Sequence, residues 1–405
     1  MTTPFLRLKT KTVPIVLACV GLLLGGPRAS FAQVCSQTLS AGAALAAAIS
    51  SAAAGSTICL NSGSYGSVSL GTFTKSPRVT VRALTPLGAS MSLSANNGAN
   101  GVVFDGITFT GAGISGATTK NITIQNSAFG TSQLDITTTN FNANNILIDH
   151  NTFGAFQATG STPEGRISVH WPNGPGSVSS GVVITNNTFG PGGCSDGVQL
   201  GAYGVVVGPG NLFTGIVQSN CTAHVDAIQG YGSSHSVITG NFFTGDTVCF
   251  GFYDGENTPT FSNNVLVGSC VVDLGTVVSN TFIHNTLRNV SPRVGGINQS
   301  GGGSGTYTDN IMQGGNFGGG ISGSCTSCTF THNMYSGSGT GTNNIIGTPI
   351  YVGGSTPTTW EGYKLAAGSI GKNAASDGQD MGATIFGQGA GTITSPLNLR
   401  IVSDH

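Results

Sequence analysis

Large apolar side chains recur two positions after an asparagine through much of this chain. The pairs are Asn151/Phe153, Asn187/Phe189, Asn211/Phe213, Asn241/Phe243, Asn264/Leu266, Asn285/Leu287, Asn310/Met312 and Asn333/Tyr335. Successive asparagines are separated by 36, 24, 30, 23, 21, 25 and 23 residues. A recurring minimum with occasional longer steps is typical of one structural rung, repeated, with loops inserted in some copies.

Short β-branched segments with alternating polar positions predict the strands of each rung. Examples are the segments 121–125, 145–149 and 181–185, which are bounded by asparagine and glycine. A second strand is predicted around the apolar residues that lie 12 or 13 positions before a ladder asparagine, which are Val198, Ile228, Phe252, Val272, Ile297 and Ile321, with Val169 at 18 positions. Two strands per rung without a helical pattern between them indicate an all-β parallel β-helix.

The repeated residues also predict how the rungs stack. Each recurrent asparagine should turn inward and hydrogen-bond to its copies along the stack, with the aromatic side chains stacked inside. About a dozen rungs at roughly 4.8 Å each predict a rod on the order of 55 Å long.

The chain divides into four segments. Residues 1–32 resemble a secretory signal peptide, with a basic start, an apolar run at 13–24 and a small-residue cleavage site ending at Ala32. Residues 33–60 are predicted to cap the rod with one amphipathic helix over Ala41–Ala54, which would cover unpaired strand edges. Repeats are predicted from 61 to 354, and residues 355–405 form a different closing segment.

The composition agrees with an extracellular rod. Glycine accounts for 65 of the 405 residues and charged residues for 7%, as narrow turns require. Removal of residues 1–32 takes away four of the 14 basic residues and none of the 15 acidic ones, which leaves a net charge of −5. This charge gives no reason to expect a nucleic acid or an anionic membrane as a partner. We expect a secreted monomer.

Eight cysteines remain after such cleavage, an even number that predicts disulfides in a secreted chain. Cys249 and Cys270 are 21 residues apart, which is one bare rung, and Cys194 and Cys221 are 27 apart, which is one rung with a loop. Cys35 and Cys59 should join the cap. The remaining pair, Cys325 and Cys328, would close a short local loop. A metal site there would lack a second cysteine pair.

Alignment of the rungs predicts a polar column on one outer face. The column contains His170, Gln199, Gln229, Tyr253, Asp273, Asn298 and Ser322, beside a row of small residues. Together they predict a shallow groove that suits a sugar chain, with His170, Gln199, Gln229, Asp273 and Asn298 as binding residues.

Two rungs of this column carry aspartates at the same position, Asp196 and Asp226. Stacked carboxylates need a shared proton, a cation such as calcium or a hydrogen-bond network. They could equally form a retaining glycosidase pair or only shape a turn.

Three further residues have candidate roles near these aspartates. His224 could act as a general base, and Tyr253 as an acid, a base or a sugar-stacking ring. Arg166 could neutralise a uronate carboxylate. The loop Asp254–Glu256 adds two carboxylates that could bind calcium or sugar, or form a solvated turn. Histidines at 150, 284 and 332 all precede a ladder asparagine, which indicates a turn preference.

Both ends of the repeat region resemble the secreted right-handed parallel β-helix superfamily of pectate lyase-like proteins. The segment 54–65 resembles their opening rung, and the segments 363–369 and 380–383 resemble their closing segment. The resemblance implies a single-stranded right-handed parallel β-helix. The superfamily includes polysaccharide lyases, hydrolases and epimerases as well as non-catalytic adhesins, so the resemblance does not decide the activity. Residues 145–153 resemble a pectate lyase repeat, but the calcium-binding acids and the Arg-Pro-Arg segment of that family are missing.

These features favour an extracellular carbohydrate-active enzyme that cleaves a uronate-containing polysaccharide by β-elimination. A glycoside hydrolase with paired aspartates is the alternative enzyme, and a non-catalytic glycan-binding or adhesion rod is the alternative outside enzymes. The local concentration of Asp, His, Gln and Tyr in adjacent rungs separates these hypotheses from a purely structural rod. Calcium is the one cofactor that the residues suggest.

Overall fold

Parallel strands stack in three long sheets along the chain. The computed structural model describes residues 34–387, apart from 97, 138–143, 159–163, 171–177, 219–224, 276, 295–302, 315–324 and 326. The described residues from Cys35 onward belong to one compact unit. The predicted signal peptide therefore lies outside the described residues.

We name the three sheets the long sheet, the ladder sheet and the site sheet, and each is defined by its strands. The long sheet contains Gln37–Leu39, Thr57–Leu60, Phe73–Ala83, Ala99–Asp105, Lys120–Gln125, Ile146–Asp149, Val182–Thr185, Val206–Val207, Val237–Thr239, Thr260–Ser262, Asn280–Ile283, Ser304–Thr308 and Ser327–Thr331. The ladder sheet contains Thr152–Phe153, Thr188–Phe189, Leu212–Thr214, Phe242–Thr244, Val265–Val267, Thr286–Arg288, Ile311–Gln313, Met334–Tyr335 and Ile345–Ile346. The site sheet contains Gly63–Leu70, Ala89–Ala95, Ile107–Ser115, Leu134–Thr137, Gly165–His170, Asp196–Leu200, Asp226–Gly230, Val248–Gly251, Val271–Leu274 and Ser291–Val294.

A full rung therefore has three strands, and the prediction of two was wrong. The missing strand is the ladder segment itself, which is only two or three residues long in each rung. A small extra pair joins Glu256–Asn257 to Val277–Val278. The all-β parallel β-helix that the pattern predicts is confirmed.

The asparagine ladder is continuous from Asn151 to Asn333. Each side-chain Nδ2 donates to Oδ1 of the next asparagine across 2.9–3.1 Å, and these side chains are buried. The residue before each ladder asparagine has a positive φ, including His150 at 54°, His284 at 53° and His332 at 52°. The three histidines therefore occupy a left-handed turn, as their position predicts.

An aromatic stack fills the interior beside the ladder. The rings of Phe109, Phe129, Phe153, Phe189, Phe213 and Phe243 follow one another with centroids 4.6–5.0 Å apart. Their side chains are at most 1% exposed. Dispersion between rings and burial of apolar surface therefore hold successive rungs together.

One helix, Leu45–Ser51, precedes the rungs and buries Leu45, Ala48 and Ile49. The predicted range Ala41–Ala54 is too long at both ends. Gly42 has a φ of 78°, which a right-handed helix cannot contain, and Ala52 leaves the helix with a ψ of 142°.

Disulfides join neighbouring rungs. Cys35 is bonded to Cys59 and Cys249 to Cys270, each with Cα atoms 5.6 Å apart, which confirms two predicted pairs. Cys325 and Cys328 form a local disulfide. Cys194 is also disulfide-bonded, but Cys221 lies outside the described residues, so that predicted pair stays a prediction.

The C-terminal segment packs along the outside of the rungs. It contains the 3₁₀ helix Glu361–Tyr363, and Trp360 stacks on Phe242 with ring centroids 5.8 Å apart. Asp309 accepts hydrogen bonds from the backbone and hydroxyl of Ser376 across 2.7 and 2.6 Å. Within the described residues, no helix is long and apolar enough to span a membrane.

Candidate active site

The register of the site sheet aligns one polar column on its outer face. In successive strands the column contains Asp135, Ser168, Gln199, Gln229, Gly251 and Asp273. The predicted members Gln199, Gln229 and Asp273 are thus in register. On the next strand, the register partner of Asp273 is Arg293, a position that counting along the chain does not give.

Two predicted members lie outside this column. His170 was expected in the column, but Ser168 is the residue in register with Gln199. Tyr253 was also expected there, but Gly251 is the residue in register with Gln229. The prediction counted back from the ladder asparagines, but the loops between strand and ladder vary in length. The pairing of Val248–Gly251 with the next strand also shifts register between Val248 and Phe250.

An acidic cluster lies where these strands meet Tyr253. Asp196 and Asp226 open neighbouring strands and are 1% and 0% exposed. The backbone N–H of Asp226 donates to Oδ1 of Asp196 across 2.8 Å. The hydroxyl of Tyr253 donates to Oδ1 of Asp226 across 3.4 Å. Asp196, Asp226 and Tyr253 therefore form one connected network.

The electrostatics of the cluster keep Tyr253 protonated. Burial raises the pKa of its phenol first, and the negative charges of Asp226, Asp273 and Asp196 raise it further. The hydrogen bond to Asp226 acts in the same direction, because it stabilises the protonated phenol. Tyr253 therefore stays protonated and is poorly suited to remove a proton.

Gly251 makes room for this arrangement. A Cβ atom at Gly251 would collide with the carboxylate of Asp226 and with the ring of Tyr253. Glycine at this position lets the carboxylate lie against the neighbouring strand.

The paired glutamines are covered by protein. Nε2 of Gln199 donates to Oε1 of Gln229 across 2.7 Å, and the backbone N–H of Glu164 donates to Oε1 of Gln199 across 3.2 Å. Gln199 is 8% and Gln229 4% exposed. At these two rungs protein therefore covers the glutamines of the predicted shallow groove.

Arg166 does not face a substrate, which corrects the expected role in neutralising a uronate. Its side chain is 0% exposed, and its guanidinium donates to the carbonyl oxygens of Gly154, Gly192, Ser195 and Asp196. Burial lowers its pKa to about 10, although Asp196 and Asp246 oppose the change. Arg166 instead holds the backbone that carries Asp196.

His170 lies apart from the acidic cluster. It pairs in register with Thr137, whose Oγ1 is 3.1 Å from Nε2 of His170. Its Nδ1 is 3.4 Å from Oδ1 of Asp135 on the neighbouring strand. Two strands of the site sheet, Asp196–Leu200 and Asp226–Gly230, separate the His170 strand from the Val248–Gly251 strand that precedes Tyr253, so the structure does not bring His170 and Tyr253 together.

The remaining predicted residues have different outcomes. His224 and Asn298 lie outside the described residues. Asp254 is exposed, whereas Glu256 is 3% exposed and accepts the backbone N–H of Ser236 across 3.3 Å. Glu256 therefore faces the interior, and the expectation that it binds calcium or sugar is not compatible with this position.

The donor set of the cluster is compatible with a hard cation. Carboxylate oxygens are the ligands that calcium prefers, and the charges of Asp196, Asp226 and Asp273 converge on Tyr253. Asp196 and Asp226 are both buried, and buried negative charges are costly unless a proton, a cation or hydrogen bonds offset them. Asp196 has one oxygen engaged by the backbone of Asp226.

No protein-family model and no curated protein sequence matches this chain. Among solved structures, it is similar to the PL6 family alginate lyase AlyGC, with 13% identity and a TM-score of 0.56, over 89% of this chain and 60% of that one. The chain thus spans less than two thirds of that lyase.

Two further solved structures are similar over most of the chain. A mannuronic acid specific polysaccharide family 6 lyase from human gut microbiota has 14% identity and a TM-score of 0.43, over 77% of this chain and 82% of that one. Pectate lyase Pel9A has 13% identity and a TM-score of 0.37, over 88% of this chain and 98% of that one. The likeness to AlyGC, at 13% identity, is a likeness of fold, that of a parallel β-helix.

Proposed function

We propose that this protein is an extracellular lyase that cleaves a uronate-containing polysaccharide by β-elimination. The observation that carries the proposal is the network of Asp196, Asp226 and Tyr253 on the site sheet. The fold likeness to an alginate lyase supports the reaction class. The disulfides between rungs agree with an oxidising compartment.

β-Elimination requires three things of the protein. The charge of the uronate carboxylate must be neutralised, the proton at C5 must be removed and the leaving oxygen must receive a proton. Tyr253 is proposed for the last task because its phenol carries a proton. Its raised pKa makes it a weak acid, which can release that proton only to an oxygen that has developed negative charge. His224 is the proposed base.

Asp196 and Asp226 are the proposed ligands of a calcium ion, and Asp273 is a third negative charge that acts on the same site. When bound, calcium would supply the positive charge that neutralises the uronate carboxylate. Without a cation, the three carboxylates would repel an anionic substrate. The lyase proposal therefore predicts that activity requires calcium.

A screen of the purified protein tests the proposal. Alginate, pectate, glycosaminoglycans and neutral glycans are incubated with calcium or with a chelator, and ultraviolet absorbance of unsaturated uronate ends is recorded beside reducing ends. We expect calcium-dependent absorbance on a uronate polymer. Asp226→Asn and Tyr253→Phe should abolish most of it, while Glu361→Gln, at an exposed carboxylate of the C-terminal segment, should leave it unchanged.

A glycoside hydrolase is the second candidate. It is favoured by the two aspartates at one position of adjacent rungs, Asp196 and Asp226. New reducing ends without ultraviolet absorbance would support hydrolysis and overturn the lyase proposal. Binding without either product would instead support a glycan-binding rod.

A further inference from the structure

Three potential metal ligands meet where the C-terminal segment lies on the rungs. His284 and Asp309 occupy the left-handed turn before a ladder asparagine in two successive rungs, and Asp377 belongs to the C-terminal segment. One nitrogen or carboxylate oxygen of each residue lies within 4.8 Å of those of the other two. His284 and Asp377 are 93 positions apart in the chain, so tertiary structure assembles this cluster.

Asp309 carries its carboxylate into the protein interior. The residue is 0% exposed, and both of its side-chain hydrogen bonds come from the neutral Ser376. In the described part of the chain, no ion pair joins Asp309 to a basic side chain. Because buried charges in proteins are paired or coordinate metals, a positive charge close to Asp309 would stabilise the folded protein.

His284 places an imidazole in the same cluster. Its side chain is 8% exposed, and Nε2 lies 3.1 Å from Oδ2 of Asp377. Its Nδ1 is buried and makes no hydrogen bond to a described residue. A neutral imidazole carries one proton, so its other nitrogen has a lone pair, and this is the form that binds metals. The ring is therefore held in place and keeps bonding capacity for a further partner.

Asp377 closes the cluster from the C-terminal segment. Its oxygens accept hydrogen bonds from the backbone and the side chain of Gln379 across 3.0 and 2.9 Å. A carboxylate has about four acceptor sites, so Asp377 can bind a cation beside these contacts. Its side chain is 42% exposed, which gives ions access to the cluster from solvent.

The donor atoms of the cluster select the kind of cation. One imidazole and two carboxylates suit a first-row divalent cation such as zinc, whereas calcium and magnesium prefer oxygen ligands alone. The 3.1 Å between Nε2 of His284 and Oδ2 of Asp377 allows both atoms to bind one ion, since zinc lies about 2.0–2.2 Å from such ligands. A divalent cation would also balance the charge of the two carboxylates beside a neutral imidazole.

We propose that His284, Asp309 and Asp377 bind a divalent cation of the zinc type, which fastens the C-terminal segment to the rungs. His284 lies at the turn between the long sheet and the ladder sheet, whereas Asp196 and Asp226 open strands of the site sheet. The two sites are therefore distinct, and the zinc site does not depend on the proposed lyase function.

Calorimetric titration with zinc tests the site. The protein carries no affinity tag, and calcium is present to fill the proposed site of the lyase. We expect a single zinc ion per chain. His284→Asn should weaken zinc binding by at least about tenfold, because even the loss of a group that supports a ligand costs that much. Asp377→Asn, at an exposed side chain, should have the same effect, and circular dichroism should show both variants folded.

His150→Asn is the matched control. His150 occupies the same kind of turn, with a φ of 54° against 53° for His284, and asparagine tolerates this conformation. Its Nδ1 also lies 2.8 Å from a carboxylate oxygen, that of Asp149. This variant should bind zinc as the unaltered protein does.

Proteolysis provides a readout of the fastening role. Zinc should slow cleavage between residues 376 and 384 in the unaltered protein and in His150→Asn, because a bound ion stabilises the closed segment by mass action. It should leave the cleavage rate of Asp377→Asn unchanged.

Each outcome decides the site whether or not the protein cleaves a polysaccharide. Loss of zinc binding in His284→Asn and Asp377→Asn, but not in His150→Asn, would support the site. No binding to the unaltered protein, or binding that calcium abolishes, would overturn it. Equal affinity in all variants would mean an adventitious ion only. Zinc binding without protection of the segment would overturn the fastening role.

Discussion

The hydroxyl of Tyr253 lies 3.4 Å from Oδ1 of Asp226, to which it donates a hydrogen bond. The two residues belong to neighbouring rungs, 27 positions apart in the chain. Because Asp226 is fully buried, its charge acts on the phenol through protein more than through water. This contact links the proton donor of the proposed reaction to the carboxylates that would hold its cation.

Asp226→Asn should lower the pKa of Tyr253. The substitution removes a negative charge and the acceptor that stabilises the protonated phenol, whereas burial, the largest cause of the raised pKa, remains. The pKa should therefore fall toward the ordinary value of 10.0 without reaching it. Carbon-13 NMR of labelled tyrosine, assigned with Tyr253→Phe, measures the change. An unchanged pKa, or an equal fall in the exposed control Asp254→Asn, would show that the contact is unimportant.

Asn241→Ala should destabilise the fold by about 2–4 kcal/mol, because several buried hydrogen-bonding groups lose their partners. Nδ2 of Asn241 donates to Val207 and Asn264 across 3.0 Å, and its Oδ1 accepts from Asn211 across 2.9 Å. Urea unfolding followed by circular dichroism gives the difference. The exposed Asn257→Ala should cost little, and equal losses in both variants would argue against a structural ladder.

Phe213→Ala should cost about 3–5 kcal/mol of unfolding free energy, and Phe213→Leu about half of that, because the larger cavity removes more contacts. The ring lies 4.6 Å from both Phe189 and Phe243 and is fully buried. Thermal and urea unfolding measure the order of the variants. The exposed Leu84→Ala provides a baseline near zero. A cost below about 1 kcal/mol for Phe213→Ala would contradict the aromatic stack.

The free energy of unfolding should fall as pH rises through neutrality. Burial raises the pKa of Glu256 to about 8 in the folded protein, against an ordinary value of 4.5, and that of Asp246 to about 7. For each group, the relevant pH range lies between its ordinary pKa and its raised pKa in the folded protein. In that range the unfolded chain has released a proton that the folded protein retains, so rising pH favours unfolding until the folded group has also ionised.

Glu256→Gln should make stability less dependent on pH, with a gain on the order of a few kcal/mol at alkaline pH relative to the unaltered protein. Urea unfolding at several pH values provides the slopes. Asp246 should preserve part of the dependence in this variant. The control is the exposed Glu361→Gln, which should retain the full slope. Identical slopes in both variants would mean that Glu256 does not retain its proton.

Asp309→Asn should loosen the C-terminal segment from the rungs. The fully buried carboxylate of Asp309 accepts two hydrogen bonds from Ser376, and the amide can replace only one acceptor. Asparagine tolerates the positive φ of 58° at this position, so backbone strain does not confuse the result. Limited proteolysis should cut between residues 376 and 384 sooner than in Asp254→Asn. Equal rates would show that the contact does not hold the segment.

The repeating residues predict the rungs because the same side chain performs the same task in each copy. Asn151 to Asn333 and the phenylalanines beside them contact their own equivalents, so spacing along the chain suffices to find them. The same period predicts that Cys249 and Cys270 lie on adjacent rungs. The spacing does not predict that Phe109 and Phe129 belong to the aromatic stack, since no ladder asparagine precedes those rings.

The candidate site depends instead on how different segments meet. The sequence alone determined the parallel β-helix, its asparagine and phenylalanine columns and the equivalence of Asp196 with Asp226, because all of these repeat. Tertiary structure decided that Tyr253 and His170 leave the glutamine column and that Arg166 is buried on backbone carbonyls. The physical reason is that loop lengths and a register shift set the strand pairing, and neither one repeats along the chain.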